Sequence, residues 1–148
     1  MTWRRTGLVI DPGTLRPTWW NRSHVQLAAP VFLDDKLRIY FSTRDEHPRS
    51  RTTFVELDPD TLDVTYTHPD FVLDIGPPGA CDDCGAMGSS IVLYGHAIYM
   101  FYVAWNVPTT VSWRNTTGLA ISHDGGYSFE KVPGPVLGRS PYNPFMAS

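Results

Sequence analysis

Apolar and polar residues alternate with a period of two along much of this chain. Leu37, Ile39 and Phe41 are interleaved with Arg38, Tyr40 and Ser42, the pattern of a β-strand. No segment holds a 3.6-residue period for three turns, so helices are not expected. The strands fall into two similar blocks. In the first, residues 24–33 form a strand ending at the turn Asp34-Asp35-Lys36, and 37–43 form a second. A polar loop, 44–51, leads to a strand at 52–57, the turn Asp58-Pro59-Asp60-Thr61-Leu62 and a strand at 63–67. Pro69-Asp70-Phe71-Val72-Leu73 leads out. In the second block the strands are 89–93, 97–105, 116–122 and 128–132, and Pro133-Gly134-Pro135-Val136-Leu137 leads out.

Leu33 and Leu93 are 60 residues apart, as are Phe41 and Phe101. Pro69 and Pro133, and Leu73 and Leu137, are 64 apart. Two four-stranded antiparallel units at this spacing predict an all-β fold of β-propeller blades. Residues 1–22 are a lead-in segment with a short strand at Leu8-Val9-Ile10. Residues 23–76 are the first blade, 77–138 the second, and 139–148 the start of a third. Two blades cannot close a ring, so the expectation is the N-terminal part of a longer, five-bladed protein. The competing architecture is a self-contained β-sandwich of about eight strands.

Blade connectivity sorts the loops between two faces. One face collects Ser23, His24 and Gln26, then Arg44, Asp45, Glu46 and Arg51. It also takes Asp82 and Asp83, Trp105, Asn106, Trp113 and Arg114, and Tyr142 with Asn143. Acids, arginines, amides and indoles together suit a sugar, which offers hydroxyls to polar groups and flat faces to rings. The stretch Gly79-Ala80-Cys81-Asp82-Asp83-Cys84-Gly85 brings a carboxylate pair to that face on a run of small residues. Adjacent strand residues point opposite ways, so Asp83 is the candidate for the chemistry and Asp82 for a turn or supporting role. The other face holds turn chemistry. There, Ser122-His123-Asp124-Gly125-Gly126-Tyr127-Ser128-Phe129 fits the Asp-box pattern and is read as structural: Asp124 accepts backbone N–H bonds, glycine takes positive φ and the aromatic tucks between strands.

A formal charge of −3 leaves no electrostatic footprint for nucleic acid. The 12 glycines and 13 prolines mark a chain broken by turns, and aromatics at 13% against 18% charged residues fit a carbohydrate-handling protein as well as an ordinary β domain. No apolar run reaches membrane-spanning length, and no signal-peptide core follows Met1-Thr2-Trp3, so a cytoplasmic location is expected. Cys81 and Cys84 form a lone C-x-x-C without further ligands at zinc spacing and before a strand, not a helix. They are expected to be reduced thiols, and no metal or cofactor is expected.

Several of these stretches resemble the five-bladed propeller glycoside hydrolase superfamily, which includes arabinanases and xylosidases of family 43, invertases of family 32 and mannoside phosphorylases of family 130. They are Ser23 to Pro30, Leu37 to Asp45, Asp82 to Ser90, Tyr99 to Trp105 and Gly118 to Gly125. The resemblance implies catalytic carboxylates on inner strands: an Asp from the first blade, one from the second and a later Glu. Asp83 takes the second-blade position, with Asp82 beside it. The first inner strand offers His24 and Gln26 and no acid, so Asp45 is the candidate for the missing carboxylate, and the Glu would lie beyond Ser148. The implied substrate is an oligosaccharide or glycoside, with hydroxyls bound by His24, Gln26 and Arg44 and a ring stacked on Trp105. Arg114, with His24 and Arg44, keeps a phosphorolytic variant open. The alternatives are a noncatalytic carbohydrate-binding propeller and a protein-interaction propeller. Oligomeric state is not legible.

Overall fold

A computed structural model describes residues 2–5 and 7–146. The chain is all-β, with one open mixed sheet of eight strands: β1 (Ser23–Leu33), β2 (Lys36–Arg44), β3 (Ser50–Leu57), β4 (Val64–Thr67), β5 (Gly85–Tyr94), β6 (Ala97–Asn106), β7 (Arg114–Ser122) and β8 (Glu130–Lys131). Strands β1 to β4 form one antiparallel meander and β5 to β8 another. They are joined by a single parallel pair, Ser50 with Gly85. The outer edge of β3 is therefore shared: β4 pairs with its C-terminal half, and β5 meets it at Ser50. The lead-out segments repeat as well, with isolated bridges Thr52–Leu73 and Thr117–Leu137.

The expected Leu8-Val9-Ile10 strand is absent; this stretch is irregular and is followed by a 3₁₀ turn at Pro12–Thr14. Ile10 and Leu15 instead pack on Phe41, Val55 and Leu57. That cover changes what the alternation in β2 means. Phe41 and its neighbours face the N-terminal segment, while Arg38, Tyr40 and Ser42 face the second meander. Both sides of β2 and β3 are thus buried, and the polar half of the alternating pattern is the more deeply buried. Arg38 is 1% exposed, against half-buried Leu37 and Ile39.

The main core lies between the meanders. Tyr40 and Phe54 of the first meet Ala86, Met100, Ala104 and Phe129 of the second. Tyr40 packs edge-on against Phe54 and Phe129, with ring centroids 5.5 and 5.7 Å apart. The turn after β7 docks on this seam. Arg38 donates to the carbonyl of Gly125 at 2.6 Å, and the Tyr40 hydroxyl donates to that of Gly126 at 3.0 Å. The turn is folded around Asp124, whose carboxylate accepts from the N–H groups of Tyr127 and Ser128 and the hydroxyls of Ser122 and Ser128. Burial alone would raise the pKa of Asp124, but these bonds outweigh it and hold the carboxyl well below its usual range.

Candidate functional site

The strand registers bring one row of residues across both meanders. Ser23 pairs with Arg44, Arg44 with Ser50, Ser50 with Gly85, Gly85 with Trp105, and Trp105 with Asn115. Paired residues project to the same side of a sheet. Along this edge a cleft of about 350 Å³ is lined by Arg44, Met87, Val103, Trp105, Ser112, Trp113 and Asn115. Of the sequence-predicted site residues, the cleft brings together Arg44 and Trp105. The guanidinium of Arg44 lies 6.0 Å from the Trp105 ring centroid. The indole of Trp105 lies across Gly85, where any Cβ would overlap it. Trp113 forms the outer wall and packs on Phe145 with ring centroids 4.7 Å apart.

Arg44 differs from the other arginines of this region. Arg38 is paired with Glu56, Arg49 with Asp45, and Arg51 with both Asp45 and Asp74. Arg44 has no carboxylate partner among the described residues, and its Nε is buried without a hydrogen-bond acceptor. The indole Nε1 of Trp105 is likewise buried without a partner among the described residues.

Asp45 stands beside Arg44 in sequence but points elsewhere. Its side chain is 1% exposed and enclosed by Arg49 and Arg51, each at 2.9 Å, and by the N–H groups of His47 and Arg49. Desolvation would raise its pKa, but these donors together keep the carboxyl below its ordinary value. It is an anchor for the 45–49 turn, and its negative charge is fully engaged.

The two acids of the Gly79–Gly85 stretch go to different surroundings. Asp82 turns into the body of the second meander, where it accepts from Lys131 at 2.5 Å and from the Tyr102 hydroxyl at 3.2 Å. Burial first, and the Asp82 charge next, push the Tyr102 phenol well above its ordinary pKa. Asp83 accepts the Gly79 N–H at 2.8 Å through Oδ2, while Oδ1 is buried with no partner among the described residues. The Cys84 thiol beside it is raised by burial and by the Asp83 carboxylate. Both cysteines are free.

His24 and Gln26 lie at the bulged start of β1. His24 is exposed at φ 70°, a left-handed value that is uncommon outside glycine, and its Nδ1 lies 2.7 Å from the Ser23 hydroxyl. Gln26 is half-buried, its Oε1 without a partner among the described residues. Arg114 opens β7 and donates to Thr110 at 3.3 Å. None of these three lines the cleft, nor do Asp45, Asp82 and Asp83. Met87 and Asn115 were missed from sequence. The predicted strands began at Ser89 and Thr116, whereas β5 and β7 begin at Gly85 and Arg114 and carry both residues into the ladder. Among the described residues no cluster of three or more His, Cys, Asp or Glu is placed to hold a metal ion, and no helix is long and apolar enough to cross a membrane.

The fold built from these meanders occurs in glycoside hydrolases. A family 117 glycoside hydrolase of the marine bacterium Zobellia galactanivorans matches 74% of this chain and 32% of its own, with a TM-score of 0.57 and 21% identity. A candidate glycoside hydrolase from Parabacteroides distasonis matches 84% of this chain and 36% of its own, with a TM-score of 0.59 and 15% identity. At these identities the likeness is one of fold. In sequence, uncharacterized proteins from two strains of Mycobacterium tuberculosis are 38% identical over 155 aligned residues, covering all of this chain and 50% of each relative. The chain thus spans about half the length of the curated relatives it matches. No family model matches it.

Proposed function

We propose that this chain is part of a glycan-active β-propeller, that its two meanders are two blades, and that the edge cleft is a saccharide subsite. The observation that carries the reading is the composition of that cleft: two indoles beside a guanidinium with no carboxylate partner among the described residues, Arg44 and Trp105 lying on one row of the sheet. Indoles present flat apolar walls to a pyranose face, and a guanidinium offers several donors to its oxygens. The fold shared with glycoside hydrolases supports the same direction. As blades, β1 and β5 are the inner strands, which fits their packing against one another.

Glycosidic cleavage needs one group to protonate the leaving oxygen and another to activate water or attack the anomeric carbon. Asp83 is our candidate for the second role, since one of its oxygens has no protein partner among the described residues. His24, Gln26 and Arg114 belong to the same edge and are assigned to hydroxyl binding farther from the cleft. Asp45 and Asp82, both engaged, act by positioning. The proton donor is assigned to a part of the protein outside these residues. A noncatalytic carbohydrate-binding propeller is the second reading, favoured by the engagement of Asp45, the candidate carboxylate of the first meander.

Turnover and binding of an oligosaccharide panel, measured on the longest native form of the protein and its Asp83→Asn variant, test this. Retained binding with turnover reduced about a thousandfold or more supports the enzyme reading. Binding by both forms with turnover by neither supports the noncatalytic one. Undiminished turnover by Asp83→Asn overturns the assignment of Asp83, and no saccharide binding by either form overturns the glycan reading.

A further inference from the structure

We infer that the cleft selects an acidic saccharide, one whose ring carries a carboxylate. The inference rests on the glycan reading above and names its substrate class. Its ground is the charge balance at the cleft. The acid next to Arg44 in the chain is already committed, since Asp45 lies between Arg49 and Arg51, and Glu46 is exposed and turned to His47 at 3.6 Å. Among the described residues no acid lines the cleft. The Arg44 guanidinium therefore faces the cavity with its positive charge uncompensated among the described residues, while its buried Nε lacks an acceptor. A neutral sugar can accept hydrogen bonds from this group but leaves its charge unmatched. A carboxylate matches both the charge and the forked donor geometry.

The walls restrict the anion further. Trp105, Trp113, Met87 and Val103 suit a ring with an apolar face and leave little polar lining to hydrate a bare inorganic ion. Among the described residues Arg44 is also the only cation lining the cleft, which suits a single negative charge on a ring better than a dianionic phosphate.

The test is calorimetric titration of the protein with an oligogalacturonate, the size-matched neutral galacto-oligosaccharide and inorganic phosphate, at two salt concentrations. The expected result is binding of the oligogalacturonate about tenfold or more tighter than the neutral sugar, weakened by added salt. Arg44→Gln should bring the ratio of the two affinities close to one, and Arg44→Lys should restore part of it. The melting temperature of each variant is measured alongside, so that loss of fold is not read as loss of selectivity. Equal affinity for acidic and neutral sugars overturns the inference and leaves the glycan reading standing. Binding of phosphate with no preference for the acidic sugar also overturns it. Binding of none of the three removes both.

Discussion

At Gly85 the main chain of β5 runs beneath the indole of Trp105, and the missing side chain is what lets the ring lie there. The residue also pairs with both Ser50 and Trp105, so a displacement would be felt in both meanders. We expect Gly85→Ala to destabilise the fold by about 1–3 kcal/mol, because the added methyl forces a large ring out of place. It should also weaken saccharide binding more than Trp113→Ala does, since it disturbs the inner wall and not the rim. Denaturant unfolding and calorimetric titration check the two parts. An unchanged unfolding midpoint would mean that the indole swings aside without cost.

The β2 and β3 strands form a layer covered on both sides, and Arg38 is the most deeply enclosed of its charges. Its guanidinium lies 4.1 Å from the Phe54 ring centroid, bonds Glu56 through two nitrogens and reaches the Gly125 carbonyl in the other meander. Removing Arg38 leaves the buried Glu56 carboxylate with only the partly exposed Lys36, at 3.0 Å, as a partner. Arg38→Met is therefore expected to cost about 3–5 kcal/mol, although the double replacement Arg38→Met with Glu56→Leu should recover much of it. Equilibrium unfolding of the single and double variants checks this. If the double variant is no better than the single one, the network matters for the docking of the 122–129 turn and not for charge compensation.

Across the whole molecule, four carboxyls are lowered among the described residues: Asp58, held down by the N–H groups of Thr61 and Asp60, and three others that share one tendency. Burial would raise Asp45, Glu56 and Asp124, and in each case the surrounding donors outweigh it and lower the folded pKa. Each therefore binds its proton more readily in the unfolded chain. Their contribution to stability is fully present above the ordinary carboxylate range, near about pH 4, and is lost as pH falls below it through the folded values. The melting temperature should hold between about pH 8 and 5 and drop steeply below about pH 4. The Arg38→Met variant should show a shallower drop, since Arg38, ahead of Lys36, holds the Glu56 carboxyl down. A melting temperature indifferent to pH between about 5 and 3 would contradict this account.

Much of the strand order was legible in the sequence because its signals are local. Period-two alternation marks a strand wherever it lies, and Asp34-Asp35, Asp58-Pro59 and Asp124-Gly125 mark turns through the conformations those residues favour. The repeat spacing then showed two similar blocks, and the loops bearing Arg44, Asp83, Trp105 and Trp113 could be sorted to one edge. Contacts between residues far apart in the chain were not legible. Nothing local says that the N-terminal segment covers one side of β2, so the alternation does not show that Arg38 and Tyr40 point into the core. Nothing local says that Asp45 bonds Arg49 and Arg51 and that its neighbour Arg44 is left without a carboxylate partner among the described residues. The short start of β5, with Gly85, Ala86 and Gly88, has no strand-like residues of its own and becomes strand because β6 offers it a partner. Sequence by itself determined the elements and their order, since these follow from backbone preference and side-chain periodicity. Tertiary structure alone decided which faces are buried, which charges are paired and where the cleft opens, because burial and pairing depend on what the rest of the chain brings alongside.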